Sequence, residues 1–224
     1  MSDVFHEVEE ELRRDKATEF LKRHGSKLLG VALAIVLGVG GWRLYESYMF
    51  KERAADGAAF ESALADLNAG KPEGATALTA LAAKKSGAYP ALARLRLASD
   101  LAAKAKDDAS RADAVSAYDA IAADAALPAE LRDFAKLRAA YVLVDHAPYA
   151  DIEKRLMPLA DKDGAYRHSA REGIALAAYR AGQFDKALDA LQAIILDTDA
   201  PAGLRQRAEL LLAVVRSGPV GKTN

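Results

Sequence analysis

No cysteine occurs among the 224 residues, so the chain offers no disulfide framework, no thiolate nucleophile and no cysteine-ligated metal site. Aromatic residues make up only 7% and residues that favour strands are few, which argues against a sheet-built core. Neither sign of charge prevails: 31 Lys and Arg stand against 32 Asp and Glu, a net charge of −1. Such a chain, with its signs interleaved, gives a nucleic-acid backbone little to bind, and its apolar content is too high for disorder throughout. Alanine is what abounds. It supplies 51 residues, 48 of them after residue 53, and it has the best intrinsic helix propensity. The expectation is an all-α protein of one or two domains.

One apolar run stands apart. From Leu28 to Trp42 fifteen residues carry no charge, with Lys27 and Arg43 at the ends. Treating Arg43 as a snorkelling end residue extends the run to Tyr45. A helix over 28–45 is then about 27 Å long, close to a hydrocarbon core of about 30 Å. A secretory h-region or a buried core helix would also fit the length. The flanks favour an uncleaved anchor: 27 residues precede the run and include Asp3, Glu7, Glu9, Glu10 and Glu11, unlike a short basic leader. Trp42, Tyr45 and Tyr48 stand where an interfacial aromatic belt belongs. Arg13, Arg14, Lys16, Lys22, Arg23 and Lys27 precede the run, whereas only Lys51 and Arg53 follow within fifteen residues of Tyr45. The positive-inside rule then puts the N-terminus in the cytoplasm and the C-terminal part outside. In a bacterium that outside is the periplasm, where a cysteine-free domain avoids unwanted oxidation.

Two local patterns accompany the run. Val4, Phe5, Val8 and Leu12, then Phe20 and Leu21, recur at helical spacing in residues 1–27. They fit either an amphipathic membrane-surface or partner-binding tail, or a solvated helix that carries topogenic charge. Within the run, Gly30, Ala34, Gly38 and Gly41 form a row of small residues that would let two membrane helices pack closely.

After the run the alanines fall into repeats. Pairs five apart occur at Ala93/Ala98, Ala135/Ala140, Ala170/Ala175 and Ala208/Ala213. A second set matches at an offset of 73 residues: Ala114, Val115, Tyr118, Ile121 and Pro128 against Ala187, Leu188, Leu191, Ile194 and Pro201, followed by Leu131-Arg132 against Leu204-Arg205. Two repeat units fit such an offset, which is solenoid periodicity. Pro90, Pro128 and Pro201 suit first turns, and Gly70, Gly87, Gly164 and Gly182 suit turns between helices. The expected helix pairs are 54–69 with 74–84, 90–105 with 110–125, 129–145 with 150–161, and 165–181 with 184–197. A lone capping helix follows at 202–216, and Pro158 should bend or shorten the helix that contains it.

The stretch Ala170–Pro201, AREGIALAAYRAGQFDKALDALQAIILDTDAP, resembles a tetratricopeptide repeat. Ala175 stands at the small position of helix A; Gly182, Phe184, Ala187 and Leu191 fill the turn and helix B; Pro201 closes the unit. It departs from the pattern in carrying Ala for the usual Gly of helix A and in missing an aromatic near that helix's start. The plan of the whole chain, a basic-flanked span ending in GWRLYESY, a Gly70-Lys71-Pro72 turn and an alanine-rich repeat region, resembles the YfgM-like ancillary subunit family of the bacterial Sec translocon. That resemblance implies a single-pass inner-membrane protein: a cytoplasmic tail over 1–27, a transmembrane helix over 28–45, a periplasmic TPR-like domain over 46–216 and a flexible tail over 217–224. It further implies an α-solenoid of about four hairpins plus the capping helix, and a non-enzymatic adaptor. Implied partners are Sec translocon subunits, a periplasmic chaperone or foldase, and exported client proteins. An envelope or cell-division scaffold, or a cleaved soluble periplasmic repeat protein, are the alternatives.

No catalytic constellation emerges, and no cofactor or metal is expected. His6, His24, His146 and His168 are far apart in sequence, His6-Glu7 has no second histidine at zincin spacing, and Gly38-Val39-Gly40-Gly41 sits in the apolar run with no strand before it. In the repeat register, Leu137, Tyr141 and Val144 of the third pair and Glu172, Leu176, Tyr179 and Arg180 of the fourth should line the concave face of helix A. They read as a groove for an extended client or a partner helix, or as ordinary packing between helices.

Overall fold

The computed structural model describes residues 3–84, 86–161 and 163–217; within 3–32, side chains are described only at Arg14, Thr18, Lys22, 24–27 and 29–31. The tail residues Val4, Phe5, Val8, Leu12, Phe20 and Leu21, and residues 218–224, therefore lie outside that description. The chain is all-α, with no strand among the described residues: α1 (Asp3–Asn68), α2 (Pro72–Ala82), α3 (Ala88–Lys104), α4 (Asp108–Ala123), α5 (Ala129–Leu143), α6 (Tyr149–Leu156), α7 (Arg167–Arg180), α8 (Phe184–Ile195) and α9 (Ala202–Ser217).

Two compact units divide the chain, 1–55 and 56–224. In the first, α1 is long and apolar enough to cross a membrane. Its large apolar side chains from Leu29 to Phe50 are 59–75% exposed, and Trp42 lies 6.5 Å from Tyr45. The helix expected at 54–69 is not separate from it. Residues 46–53 contain neither Gly nor Pro, so nothing ends α1 until Asn68.

The second unit is a succession of helical hairpins. α2 to α9 each pack on their sequence neighbours, and α5 also meets α7 and α7 meets α9, the nearest-neighbour stacking of a solenoid. Punctuation explains the boundaries. α1 and α7 both end in Schellman turns: Lys71 N donates to Asp66 O at 2.9 Å and Gln183 N to Ala178 O at 2.8 Å, with Gly70 (φ 74°) and Gly182 (φ 72°) in the left-handed region. At the start of α4, Asp107 and Ser110 form a capping box, Ser110 N donating to Asp107 Oδ1 at 2.8 Å. Hydrogen bonds from Ser110 hold the Asp107 carboxyl below its ordinary range. Pro72 opens α2, and Pro128, Pro148 and Pro201 stand just before α5, α6 and α9. Pro158 acts as expected: α6 stops at Leu156 and Met157–Leu159 continue as a 3-10 turn.

The alanines set the spacing. Seven of the eight paired alanines are buried; Ala213 alone is exposed, because no helix among the described residues covers that side of α9. Between them sit the larger fillers of the core, Leu78, Tyr118, Ile152, Leu156, Leu191 and Ile194, each under 2% exposed. One close approach needs more than alanine. A Cβ on Gly74 of α2 would lie 2.4 Å from Leu67 N and 2.7 Å from Ala63 O, so this crossing admits only glycine without a backbone shift.

Candidate protein-contact surface

The residues that should line a groove divide between two jobs. Leu137, Val144 and Glu172 are buried, Tyr141, Leu176 and Tyr179 are half-buried, and Arg180 is exposed. Leu137 and Val144 are part of the core shared by α5, α6 and α7. Tyr141 ties α5 to α7: its hydroxyl donates to Ser169 O at 2.8 Å and lies 3.3 Å from Glu172 Oε2. Arg207 of α9 grips the same carboxylate bidentately, Nε to Oε1 at 2.8 Å and Nη2 to Oε2 at 3.0 Å. Burial, then the Glu172 charge, pushes the Tyr141 hydroxyl above its ordinary pKa, so it remains a donor. Arg180 Nε donates to Val144 O at 3.1 Å and its Nη2 to Ala147 O. Leu176 and Tyr179 turn instead toward Leu211 and Val214 of α9, and the Tyr179 ring meets Phe184 edge-on at 5.8 Å. The accessible portions are thus the flank of Tyr141 and the Tyr179–Arg180 edge.

Beside Tyr141 two cavities open. One of about 410 Å³ lies between the C-terminal end of α3 and α5, and one of about 440 Å³ between α4 and the end of α5; Arg111 and His146 line both. The small row in α1, Gly30, Ala34, Gly38 and Gly41, is fully exposed, and a Cβ added at any of its three glycines would touch nothing.

A polar feature not foreseen closes two of the hairpins. Arg94 Nη1 donates to Asp124 Oδ2 at 2.8 Å, and Arg167 Nε donates to Asp197 Oδ2 at 3.0 Å. Both pairs obey the 73-residue offset. The turn chemistry repeats too: Asp124 Oδ1 accepts from Ala126 N and Asp197 Oδ1 from Asp199 N, each at 3.0 Å. Each aspartate sits just past helix B and ties that end to helix A. The second clasp is reinforced. His168 Nε2 is 2.8 Å and Arg171 Nη1 3.4 Å from Asp197 Oδ2, while Arg205 Nη2 donates to the carbonyls of Asp197, Thr198 and Ala200 at 3.1, 3.1 and 3.2 Å. Arg167, then His168, holds the Asp197 carboxyl well below the usual carboxylate range; Arg94 does the same for Asp124. Extending the Pro128/Pro201 match toward the N-terminus would have found both clasps.

Among the described residues no group of three or more His, Asp or Glu could hold a metal ion. Compared with the curated proteins and with the solved structures, the chain matches none. A family pattern described as a tetratricopeptide repeat-like domain does match, over residues 18–211. That stretch takes in the apolar run as well as every hairpin, and the fold it names is a protein-interaction scaffold. Successive hairpins spaced by buried alanines are the geometry this match calls for, and the chain belongs to the tetratricopeptide repeat-like domain family.

Proposed function

We propose that the chain is a single-pass inner-membrane adaptor of the YfgM-like kind, ancillary to the Sec export channel. Its N-terminus lies in the cytoplasm, residues 28–45 cross the membrane, and the repeat domain works in the periplasm. There it contacts translocon subunits, a periplasmic chaperone or foldase, and emerging client proteins. The observation that carries this reading is the outward display of apolar side chains from Leu29 to Phe50, none of them buried. Water opposes such a surface, at about 25 cal/mol per Å², and a bilayer removes that cost. The family match supports it by starting at residue 18, ahead of the apolar run. The basic residues before the run support the orientation. The accessible flanks of Tyr141, Tyr179 and Arg180 are the proposed contact points, and the small row Gly30-Ala34-Gly38-Gly41 is the proposed packing face in the membrane.

Co-purification tests the assignment. The full chain, extracted in mild detergent and isolated, should carry channel subunits enriched over an unrelated single-pass protein of equal abundance. Equal recovery on both baits would remove the export assignment. Photo-crosslinkers at Tyr141 and Tyr179 should capture channel, chaperone or client in cells where a control position on the outer face of α4 does not.

A further inference from the structure

We propose that the cavity between the end of α3 and α5 receives a carboxylate-bearing extended segment of a partner protein. About 410 Å³ in volume, it is lined among others by Ser99, Ala102, Arg111, Arg138, Tyr141 and His146, and no Asp or Glu lines it. The neighbouring cavity shares Arg111 and His146 but is lined by Asp108 and Asp119, which cancel its positive charge. Arg138 is the distinctive group. The other half-buried arginines Arg94, Arg155, Arg167 and Arg171 each meet an aspartate. Arg138 meets none among the described residues; its Nε is 3.5 Å from the Tyr118 hydroxyl, and its guanidinium stands 6.0 Å from that ring's centroid. A guanidinium positioned by an aromatic ring, with donors left over and a cavity in front, is suited to grip a planar carboxylate.

The surroundings favour that occupant. Arg111 is paired only with Asp108 of its own first turn, whose side chain is itself largely exposed. Glu172, the carboxylate that touches Tyr141, is already neutralised by Arg207. The Tyr141 hydroxyl is committed to Ser169 O, so that ring contributes a wall and not a competing acceptor. Ala102, Ala103 and Ala105 leave the α3 side shallow enough for a peptide backbone to lie against it. The volume is that of a site for a few residues, too small for a folded surface. The near-neutral charge of the whole chain gives no field for a long polyanion, so the charge complementarity is local and suits one or two carboxylates.

This inference rests on the reading of the repeat domain as a protein-contact surface, and it is scored separately from channel co-purification: lost peptide binding with the channel still recovered overturns this inference alone. The full chain, in a neutral detergent, is titrated against dye-labelled Ala-Leu-Ala-Glu-Asp, its C-terminal amide, and the analogue with Lys for Glu and Asp, by fluorescence anisotropy. The acidic peptide should bind, and the lysine analogue at least about tenfold more weakly, the scale of one charge-assisted hydrogen bond. Retained binding of the amide assigns recognition to side-chain carboxylates, and its loss assigns it to the chain terminus; both support the proposal. Arg138→Gln should weaken the acidic peptide by about tenfold with an unchanged thermal melt, and Arg138→Glu should invert the preference toward the lysine analogue. Added salt should weaken binding to the unsubstituted chain, a check that needs no variant. Absence of binding, equal binding of acidic and lysine peptides, or an unaltered affinity in a folded Arg138→Gln would overturn it.

Discussion

The apolar residues of α1 and those of the hairpins are chemically alike and are used in opposite directions. From Leu29 to Phe50 the large side chains point outward on every side of one helix. In the repeats, Leu78, Ile152, Leu156, Leu191 and Ile194 are withdrawn to under 2% exposure, and the exposed faces carry charge. What separates the two is alanine. A helix studded with alanine can approach its neighbour closely and bury a few large residues. A helix of Leu, Val, Ile and Gly without polar relief has no face to leave in water. Total hydrophobicity therefore says little about where a segment ends up, whereas the partition between alanine and larger apolar residues says a good deal.

The sharpest way to break the contrast is to charge the outward-facing segment. Leu33→Lys with Leu37→Lys places two cations near the middle of the span, at about 2.5–3.5 kcal/mol each. Membrane retention should be lost, seen as transfer to the soluble fraction, while the melting temperature of the hairpins stays within about 1 °C. Next in size is the converse change. Leu156→Ala should destabilise the repeat unit by about 2–5 kcal/mol, read as a lower melting temperature by circular dichroism, with retention untouched. Gly74→Ala should cost about 1–3 kcal/mol on the same assay, because its Cβ would meet backbone atoms that cannot turn aside.

The smallest effects compare the two clasps inside the repeat unit. Asp197→Asn should lower the melting temperature more than Asp124→Asn, since Asp197 engages two arginines and His168 where Asp124 engages Arg94 alone. The pH dependence has a definite sign. Both carboxyls sit below their ordinary value of 3.8 in the folded state, so their contribution is complete above about pH 4 and fades as pH falls below it. Thermal melts from pH 6 to pH 2 should therefore show a flatter acid limb for Asp197→Asn than for the unsubstituted chain.

Much of this was legible in the residues. The hairpin boundaries follow from Pro72, Pro128, Pro158 and Pro201 and from Gly70 and Gly182, since proline and left-handed glycine dictate local geometry without help from the rest of the fold. Seven buried alanines were readable from their five-residue spacing. Gly74 was not: a glycine inside a helix signals close approach only once the second helix is in place. The clasps were hidden because Arg94, Asp124, Arg167 and Asp197 look like residues of solvated faces until helix B is folded back on helix A. For the groove, spacing could assign residues to one side of a helix but could not say that Tyr141, Glu172 and Arg207 would satisfy one another. Nor could it show that Arg138 would be left with a cavity.

The central claim is that the run around Leu28–Tyr45 holds an otherwise water-facing repeat domain on a membrane. Alkaline carbonate extraction of membranes that contain the full chain tests it most directly. The chain should stay in the membrane pellet as an integral protein does; quantitative release into the supernatant, with the intact chain recovered there, would contradict the account.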